Sequence, residues 1–199
     1  AKYYYDSQTN LMVTGLKKIN GELYYFGDNG VMQTGYCKIA DQIFYFDKKT
    51  GEAITGFGTY VNTEGIKSII YADPDTKQLV RGLTTIAGEL YLFSDAGIMK
   101  TGVQTVGEKT YYFDPITGKA QKGFVEVSTG KINYFDESGQ RVSGKQVIDN
   151  NMYIFSDAGT RLTGMVSVDN LRYWIDKETG IALSGKIVNN GNGKIYMLL

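Results

Sequence analysis

Leu23-Tyr24-Tyr25-Phe26-Gly27-Asp28-Asn29-Gly30-Val31-Met32-Gln33-Thr34-Gly35 is one copy of a pattern that recurs along the whole chain. Each copy runs from aromatic residues through a turn to Thr-Gly or a close variant. The closing glycines are Gly15, Gly35, Gly56, Gly82, Gly102, Gly123, Gly144, Gly164 and Gly185. Their spacing is 20 or 21 residues, except for one interval of 26. Such a period predicts a repeat protein whose units bury their apolar faces against their neighbours.

Each repeat predicts a β-hairpin followed by a connecting turn. Asn20-Gly21 and Ala87-Gly88 lie between an aliphatic and an aromatic segment, where a two-residue turn needs positive φ. An isolated hairpin is marginal in water, so its stability must come from stacking on other hairpins. The sequence therefore predicts an all-β fold, an elongated β-solenoid of hairpin repeats of about 20–21 residues, with residues 1–199 forming a single repeat module.

Alternation along a strand divides each aromatic triplet between two faces. The first and third residues share one face, and the middle residue points to the other. We expect the third position and the Ile or Val of the preceding segment to build a continuous core. The third positions are Tyr5, Phe26, Phe46, Phe93, Phe113, Phe135, Phe155 and Ile175, and the aliphatic positions are Ile19, Ile39, Ile86, Val106, Val127, Ile148 and Val168.

The repeat at 57–82 is atypical. Ala72 takes the position that other repeats give to Phe, and residues 63–68 lengthen the loop. A smaller core residue and a longer loop predict a bend in the rod. They are equally typical of a loop insertion, which costs little entropy. The sequence leaves both interpretations open.

The charge balance argues against two classes of partner. Twenty-one basic residues face 21 acidic ones, which gives no electrostatic case for binding nucleic acid or anionic lipid. No apolar run approaches the roughly 18 residues of a membrane span, so we expect no membrane insertion.

The chain contains no histidine, which excludes a Ser-His-Asp or Cys-His nucleophilic system and a His-ligated metal. Its most regular carboxylates are assigned to one repeat position: Asp47, Asp73, Asp95, Asp114, Asp136, Asp157 and Asp176. Aspartates that recur at a turn are typical of side chains that bond turn amides, and an active site is not duplicated in every repeat. We therefore predict no enzyme, no metal site and no cofactor.

Two further features concern the limits of the chain and its single thiol. The chain begins and ends inside a repeat, at Lys2-Tyr3-Tyr4-Tyr5-Asp6 and within 194–199, so we expect a fragment of a longer protein. Cys37 is the only cysteine, which excludes an internal disulfide. We expect it to be a small, partly buried side chain.

The 16 tyrosines suggest a ligand-binding surface. A pyranose stacks its C–H face on an aromatic ring, and a phenol edge bonds a sugar hydroxyl. Aromatic residues also pack well in hairpins, so two functions stay open. One is a carbohydrate-binding module, and the other is a structural stalk or protein-interaction rod whose tyrosines only pack.

The motif Tyr-Tyr-Phe-Asp-x-x-x-Gly, followed by Thr-Gly and x-x-Ile-x-Gly-x-x-Tyr-Tyr-Phe, resembles the cell-wall-binding and glucan-binding repeats of Gram-positive surface proteins. It also resembles the short repeats of large clostridial toxins. The resemblance covers essentially the whole chain. It implies a secreted or cell-surface protein in which this module binds a cell-wall polymer, an α-glucan or a host glycan, with catalysis housed in other domains.

The branches of this family differ in the residues that contact ligand. Choline-binding members place Trp directly after the closing glycine, where this chain has mostly aliphatic or charged residues, which disfavours a choline cage. The 26-residue repeat invites comparison with the long toxin repeat but lacks its typical aromatic-Phe-Ala-Pro-Ala-Asn-Thr stretch.

One segment fits the glucan-binding branch, in which Gln and Lys flank the hairpin turn. It is 104–111, with Gln104, Lys109 and Tyr111 around Gly107. The resemblance implies a carbohydrate site that joins two repeats, with Tyr91 and Tyr111 stacking on the sugar while Gln104 and Lys109 bond its hydroxyls. The alternative is that Gln104 and Lys109 are solvated and Tyr91 packs on its neighbour.

Overall fold

The computed structural model describes residues 1–169, 171–183, 187–189 and 195–197. Within them the regular structure is β-strand: β1 (Gly15–Ile19), β2 (Glu22–Phe26), β3 (Gly35–Ile39), β4 (Gln42–Phe46), β5 (Gly56–Val61), β6 (Lys67–Ala72), β7 (Gly82–Ile86), β8 (Glu89–Phe93), β9 (Gly102–Val106), β10 (Lys109–Phe113), β11 (Gly123–Ser128), β12 (Lys131–Phe135), β13 (Gly144–Ile148), β14 (Asn151–Phe155), β15 (Gly164–Val168), β16 (Leu171–Ile175), β17 (Ile187–Asn189) and β18 (Ile195–Met197). These described residues include no helix long and apolar enough to cross a bilayer. The all-β prediction is confirmed, while most of the segment 194–199 lies outside the described residues.

Consecutive strands pair as antiparallel hairpins, which gives nine two-stranded sheets in the described chain. In the hairpins of the full-length repeats, the closing glycine lies opposite the third residue of the triplet, as Gly102 does with Phe113. The turn prediction is confirmed at Asn20-Gly21, where φ is 50° and 95°. The pattern of glycines and aromatic triplets therefore sets both the hairpin and its register.

The contacts of the chain divide it into two units, Ala1–Lys100 and Thr101–Leu199. Within each unit, the linker that follows one hairpin also forms a hydrogen bond with the previous hairpin in the sequence. The amide of Ala53 donates to the carbonyl of Leu23 at 2.8 Å, and that of Arg141 donates to the carbonyl of Thr110 at 2.7 Å. Each linker thereby ties successive repeats together through the backbone.

A glycine in the linker turn permits this close approach. Gly97 has φ of +73°, and a Cβ added there would lie 2.9 Å from the Cβ of Leu79 in the preceding linker. Gly159 meets Arg141 in the same way in the second unit. A side chain at either position would strain the backbone, and at Gly97 it would also press against Cβ of Leu79.

The third position of the triplet is buried, as predicted. The residues are Phe26, Phe46, Ala72, Phe93, Phe113, Phe135, Phe155 and Ile175. Tyr5, which no complete hairpin carries, is exposed. The first position is also buried in most hairpins, at Phe44, Tyr91, Tyr111 and Tyr153, in agreement with the predicted sharing of one face.

The rest of the core differs from the expectation. The aliphatic positions, such as Ile19 and Val106, are only half-buried, because they lie at the end of the hairpin beside its turn. The middle residue of the triplet takes their place by packing on the next hairpin. The ring of Tyr25 lies 6.2 Å from that of Phe46, and the ring of Tyr112 lies 6.2 Å from that of Phe135. Both faces of a hairpin therefore contribute to burial.

Cys37 is half-buried, as expected, and packs against a cluster that contains Phe44 and Phe46. Burial raises the pKa of its thiol. A thiol of this kind is protonated at neutral pH and acts as a small apolar side chain.

The atypical repeat takes up its extra residues inside the hairpin. Its strands β5 and β6 are six residues long and the turn between them is extended, whereas the following linker, 73–81, is as long as the linker 47–55. Ala72 is fully buried in a cluster with Ile43, Tyr45, Ile70 and Leu79. The longer loop is thus accommodated locally, and the bend stays a prediction.

Most linker turns are capped by the aspartate that follows the triplet. Asp114 Oδ1 accepts hydrogen bonds from the amides of Ile116 and Thr117 at 3.0 and 2.7 Å. Equivalent bonds are made by Asp6, Asp47, Asp73, Asp136 and Asp176. These amide bonds, that of Thr117 foremost, hold the pKa of the Asp114 carboxyl below its ordinary value.

The assignment of Asp95 and Asp157 to the same position is wrong. Both lie one residue further along, and the capping oxygen comes from the serine before them. Ser94 Oγ accepts from the amide of Ile98, and Ser156 Oγ accepts from the amide of Thr160, each at 3.1 Å. A hydroxyl replaces the carboxylate because the turn requires only one short acceptor.

The two faces of the triplet predict a difference in stability between neighbouring substitutions. Phe113→Ala should lower the free energy of unfolding by about 3–5 kcal/mol, because the ring is fully buried. Tyr112→Ala should cost less, since this ring is only half-buried. Urea denaturation of both variants measures the order, and a larger loss for Tyr112→Ala would contradict the assignment of faces.

The capped turns predict acid sensitivity. Because the pKa of Asp114 is lower in the folded state, its stabilisation is complete above the unfolded pKa of about 3.9 and is lost as pH falls through the folded value. Asp114→Asn should therefore reduce the fall in stability as the pH drops below about 4. Ser94→Ala is the matched control, because it removes an uncharged cap and should lower stability by the same amount at every pH. Identical pH profiles for wild type and Asp114→Asn would contradict the argument.

Candidate functional site

The residue after the closing glycine is an exposed apolar side chain in most repeats. It stands opposite the middle residue of the triplet, as Phe57 does to Tyr71 and Phe124 to Tyr134. Phe57 is 50% exposed and Phe124 is 42% exposed. Leucine, valine or methionine fills the position in other hairpins, at Leu16, Leu83, Val103 and Met165.

At two of these positions a phenylalanine packs on two tyrosine rings, one from its own hairpin and one from the next. In the first unit, the ring of Phe57 lies 4.8 Å from Tyr71 and 5.4 Å from Tyr91 of the next hairpin. We call these three residues the Phe57 cluster. The edge-to-face angle of Phe57 and Tyr71 is 68°, an arrangement that aromatic pairs prefer.

The same geometry recurs in the second unit. Phe124 lies 4.9 Å from Tyr134 and 4.9 Å from Tyr153 of the next hairpin, and these residues form the Phe124 cluster. In each cluster the tyrosine of the next hairpin is buried and supports a half-exposed phenylalanine. The result is an aromatic platform in which two tilted tyrosine rings support one half-exposed phenylalanine ring, and this outer ring suits stacking against the C–H face of a sugar.

A third hairpin uses this position differently. Lys145 replaces the phenylalanine, and its ammonium lies 5.9 Å from the centre of the Tyr173 ring. The same ammonium donates to Asp169 at 2.6 Å, and this hydrogen bond raises the pKa of Lys145. The position therefore holds a charged contact between two hairpins instead of an exposed ring.

Three of the four predicted site residues lie on one face of the β9–β10 hairpin. Gln104 is opposite Tyr111 in the register, and Lys109 is two residues before Tyr111 on the same strand. Tyr111 is 4% exposed and its ring lies 6.0 Å from that of Phe113. Lys109 is exposed. This face presents an ammonium and an amide, while its tyrosine ring is packed inward.

Tyr91, the fourth predicted residue, belongs to the first unit. It is 6% exposed and packs between Phe57 and Phe93, with centroid distances of 5.4 and 6.4 Å. Within its own unit, Tyr91 supports the Phe57 cluster. Its grouping with Gln104, Lys109 and Tyr111 stays a prediction.

The amide of Gln104 has a partner inside its own hairpin. Its Nε2 donates to the carbonyl of Thr101 at 2.7 Å, and Gln146 donates to Ser143 at 2.8 Å from the equivalent position. This bond holds the start of the first strand. Its recurrence shows that a glutamine here performs a local structural task in two repeats.

Phe57 and Phe124 were not among the predicted site residues. The sequence places both directly after a closing glycine, the position at which choline-binding repeats carry tryptophan. The buried tyrosine of each cluster comes from the next hairpin, so a comparison within one repeat does not find it. Among the described residues, no group of three or more His, Cys, Asp or Glu side chains is placed to hold a metal ion.

One family model and one bacterial enzyme match parts of this sequence. Residues 13–56 and 100–145 match the model of a choline-binding repeat. Over 120 residues the chain is 31% identical to glucosyltransferase-S of Streptococcus mutans, a match that spans 58% of this chain and 8% of that protein.

Solved structures with little sequence identity share the fold. CbpF, choline binding protein F of Streptococcus pneumoniae, solved in complex with ipratropium, has a TM-score of 0.74 at 21% identity, covering 98% of this chain and 76% of that chain. The choline-binding domain of CbpL from Streptococcus pneumoniae has a TM-score of 0.67 at 16% identity, covering 94% and 99%. The repeats of this chain are thus similar to the cell-wall-binding and glucan-binding repeats of Gram-positive bacteria.

Proposed function

We propose that this chain is a non-catalytic carbohydrate-binding module that attaches a secreted or cell-surface bacterial protein to a glycan. The observation that carries the proposal is the recurrence of a half-exposed phenylalanine on a buried tyrosine, in the Phe57 cluster and again in the Phe124 cluster. Packing alone does not require the outer ring, because Leu83 and Val103 fill the same position in other hairpins.

The candidate targets are a cell-wall polymer, an α-glucan or, if the parent protein is a toxin, a host glycan. Similarity to glucosyltransferase-S makes an α-glucan the first ligand to test. The choline-binding repeat model and the fold of CbpF support a wall-attached ligand as the second.

We further propose that the hairpins stack as a β-solenoid. Two observations within each unit support it: linker amides bond carbonyls of the preceding hairpin, and the middle ring of one triplet packs on the next hairpin. These contacts join neighbours only, as in other repeat proteins.

Binding is favoured over catalysis by the roles of the repeated carboxylates. Asp47 and Asp114 each accept two backbone hydrogen bonds in a turn. These bonds lower the pKa of both carboxyls, with Thr50 and Thr117 respectively as the largest contributors. A general acid needs the opposite shift, toward a raised pKa.

The set Tyr91, Gln104, Lys109 and Tyr111 is retained as a second candidate site. Gln104 and Lys109 would bond hydroxyls from the face of β9–β10, and Tyr91 would act through the Phe57 cluster of its own unit. Each site of this kind is expected to be weak, in the ~mM range, with retention coming from several sites acting together.

A structural stalk or protein-interaction rod is the alternative function. The observations that favour it are the burial of Tyr91 and Tyr111 and the internal hydrogen bond of Gln104. In a stalk these residues would only hold the repeat together. A broad glycan array separates the two functions, since a stalk binds no glycan.

The aromatic platforms predict a loss of binding on truncation. Phe57→Ala and Phe124→Ala should each weaken binding of α-glucan and wall-derived oligosaccharides several-fold, measured by titration calorimetry, and the double variant should lose more than either. Ile116→Ala is the matched control, because Ile116 is 91% exposed and lies in a linker. Binding that survives in the folded double variant would remove both platforms as sites.

The predicted polar set has its own internal control. Gln104 and Gln146 each donate a hydrogen bond to a backbone carbonyl just before their strand. In the hairpin of Gln146, however, the residue that corresponds to Lys109 is Asn151. If the set binds sugar, Gln104→Ala and Lys109→Ala should weaken binding while Gln146→Ala should not. Equal behaviour of the two glutamine variants, with folding verified by circular dichroism, would show that the role of Gln104 is structural.

A further inference from the structure

Two methionines of the first unit lie against glycines of the linker that follows their own. Met12 precedes β1, and its Sδ, Cγ and Cε are the atoms nearest to the place that a Cβ on Gly30 would take. Met32 precedes β3 and covers Gly51 with the same three atoms. Both glycines have positive φ, +72° and +82°. Each thioether is therefore packed directly on the backbone of the next repeat.

Met32 joins three successive repeats. Its amide donates a hydrogen bond to the carbonyl of Lys2, one repeat earlier, at 2.8 Å. Its backbone also forms an isolated β-bridge with Phe26 of the hairpin before it. Its side chain rests on Gly51, one repeat later. A change in the shape or polarity of this side chain therefore acts at a joint between repeats.

Other linkers make the same contact without sulfur. Leu79 covers Gly97 in the first unit, and Arg141 covers Gly159 in the second. The contact thus accepts a thioether, an aliphatic side chain or the stem of an arginine. Of these three, the thioether is the one that common oxidants convert to a polar group. Sensitivity to oxidation is consequently a property of the linkers that carry methionine.

Oxidation of a thioether by hydrogen peroxide is a two-electron oxygen transfer. The sulfur lone pair attacks one peroxide oxygen, so that an S–O bond forms and the O–O bond breaks. The proton of the transferred hydroxyl passes to the departing hydroxide, which leaves as water. Sulfur is oxidised to a sulfoxide and the peroxide is reduced. The product is polar and chiral, and it disrupts a packed apolar contact.

The exposure of the methionines provides access and a comparison. Met12 is 41% exposed and Met32 is half-buried. Met165 is 42% exposed, but it lies on a hairpin, opposite Trp174, instead of in a linker. Equal exposure predicts similar oxidation of Met12 and Met165. The two residues therefore differ in what their oxidation does to the contact between repeats.

We propose that Met12 and Met32 form an oxidation site, at which hydrogen peroxide or a related two-electron oxidant loosens the repeats between residues 6 and 55. The sulfoxide no longer packs on the glycine of the next linker, so the linker and the preceding hairpin separate locally. Reduction of the sulfoxide reverses the change. This property concerns the cohesion of the repeats and is independent of the ligand that the module binds.

Hydrogen peroxide treatment of the full chain tests the proposal. Peptide mass spectrometry measures the sulfoxide at each methionine, and hydrogen exchange measures the opening of each linker. In treated wild type the amides of Met32 and Ala53, which bond the previous repeat, should exchange roughly 5- to 30-fold faster. The amide of Arg141 in the second unit should keep its rate. Methionine sulfoxide reductase should restore the original rates.

Two variants locate the effect. The double variant Met12→Leu/Met32→Leu, which copies the contact of Leu79, should keep its exchange rates after peroxide treatment. Met165→Leu is the matched control, because it removes an equally exposed methionine, and it should give no protection.

The opposite results would overturn the site. Sulfoxide at Met165 with none at Met12 or Met32, equal acceleration in the double variant and in wild type, or protection by Met165→Leu would each do so. If the double variant is already loosened before treatment, Met165→Leu decides. Faster exchange at Met32 and Ala53 in that treated variant supports the proposal, and unchanged exchange there overturns it.

Discussion

The linker-to-hairpin hydrogen bond is the interaction on which the rest of this structure depends. A two-stranded hairpin has two faces and too few residues to cover either one. The amide of Ala53 reaches back to the carbonyl of Leu23, and Arg141 reaches back to Thr110, so that each linker lies against the hairpin before its own. Once this bond sets the spacing, the buried phenylalanine of one repeat meets the middle ring of the previous one. Glycines such as Gly97 are required because the linkers approach each other closely.

The hairpins and their register could be predicted from the sequence because both depend on local rules. Glycine turns, alternation and the recurring Phe are visible within 20 or 21 residues. The buried third position followed directly from these rules. The packing of Tyr112 on Phe135 did not, because it depends on the rotation between hairpins, which no single repeat encodes. Val106 is only half-buried because it lies at the end of its hairpin beside the turn, which alternation along the strand does not reveal.

The candidate site was harder to predict than the fold, since sites arise where repeats differ. Sequence resemblance led to Gln104 and Lys109, which do lie on one face with Tyr111. It missed Phe57 because the burial of the supporting Tyr91 depends on a contact between hairpins. The distinction between an exposed ring and a packed ring is a tertiary property, and aromatic residues satisfy the strand pattern equally well in both states.

A repeat scaffold separates stability from recognition by position. The third residue of the triplet is apolar and buried in every complete hairpin of the first eight, and a short polar side chain caps most linker turns, because each repeat needs both to stack. The position after the closing glycine varies from Phe57 through Val103 to Lys145, because it is partly exposed at the edge of the contact between hairpins. An aromatic ring, an aliphatic side chain and an ammonium group therefore occur at this position in different repeats. Weak sites distributed along such a chain gain affinity through simultaneous engagement. Variation at this position therefore changes the side chain that each repeat presents, while the packing of the buried third residue maintains the fold.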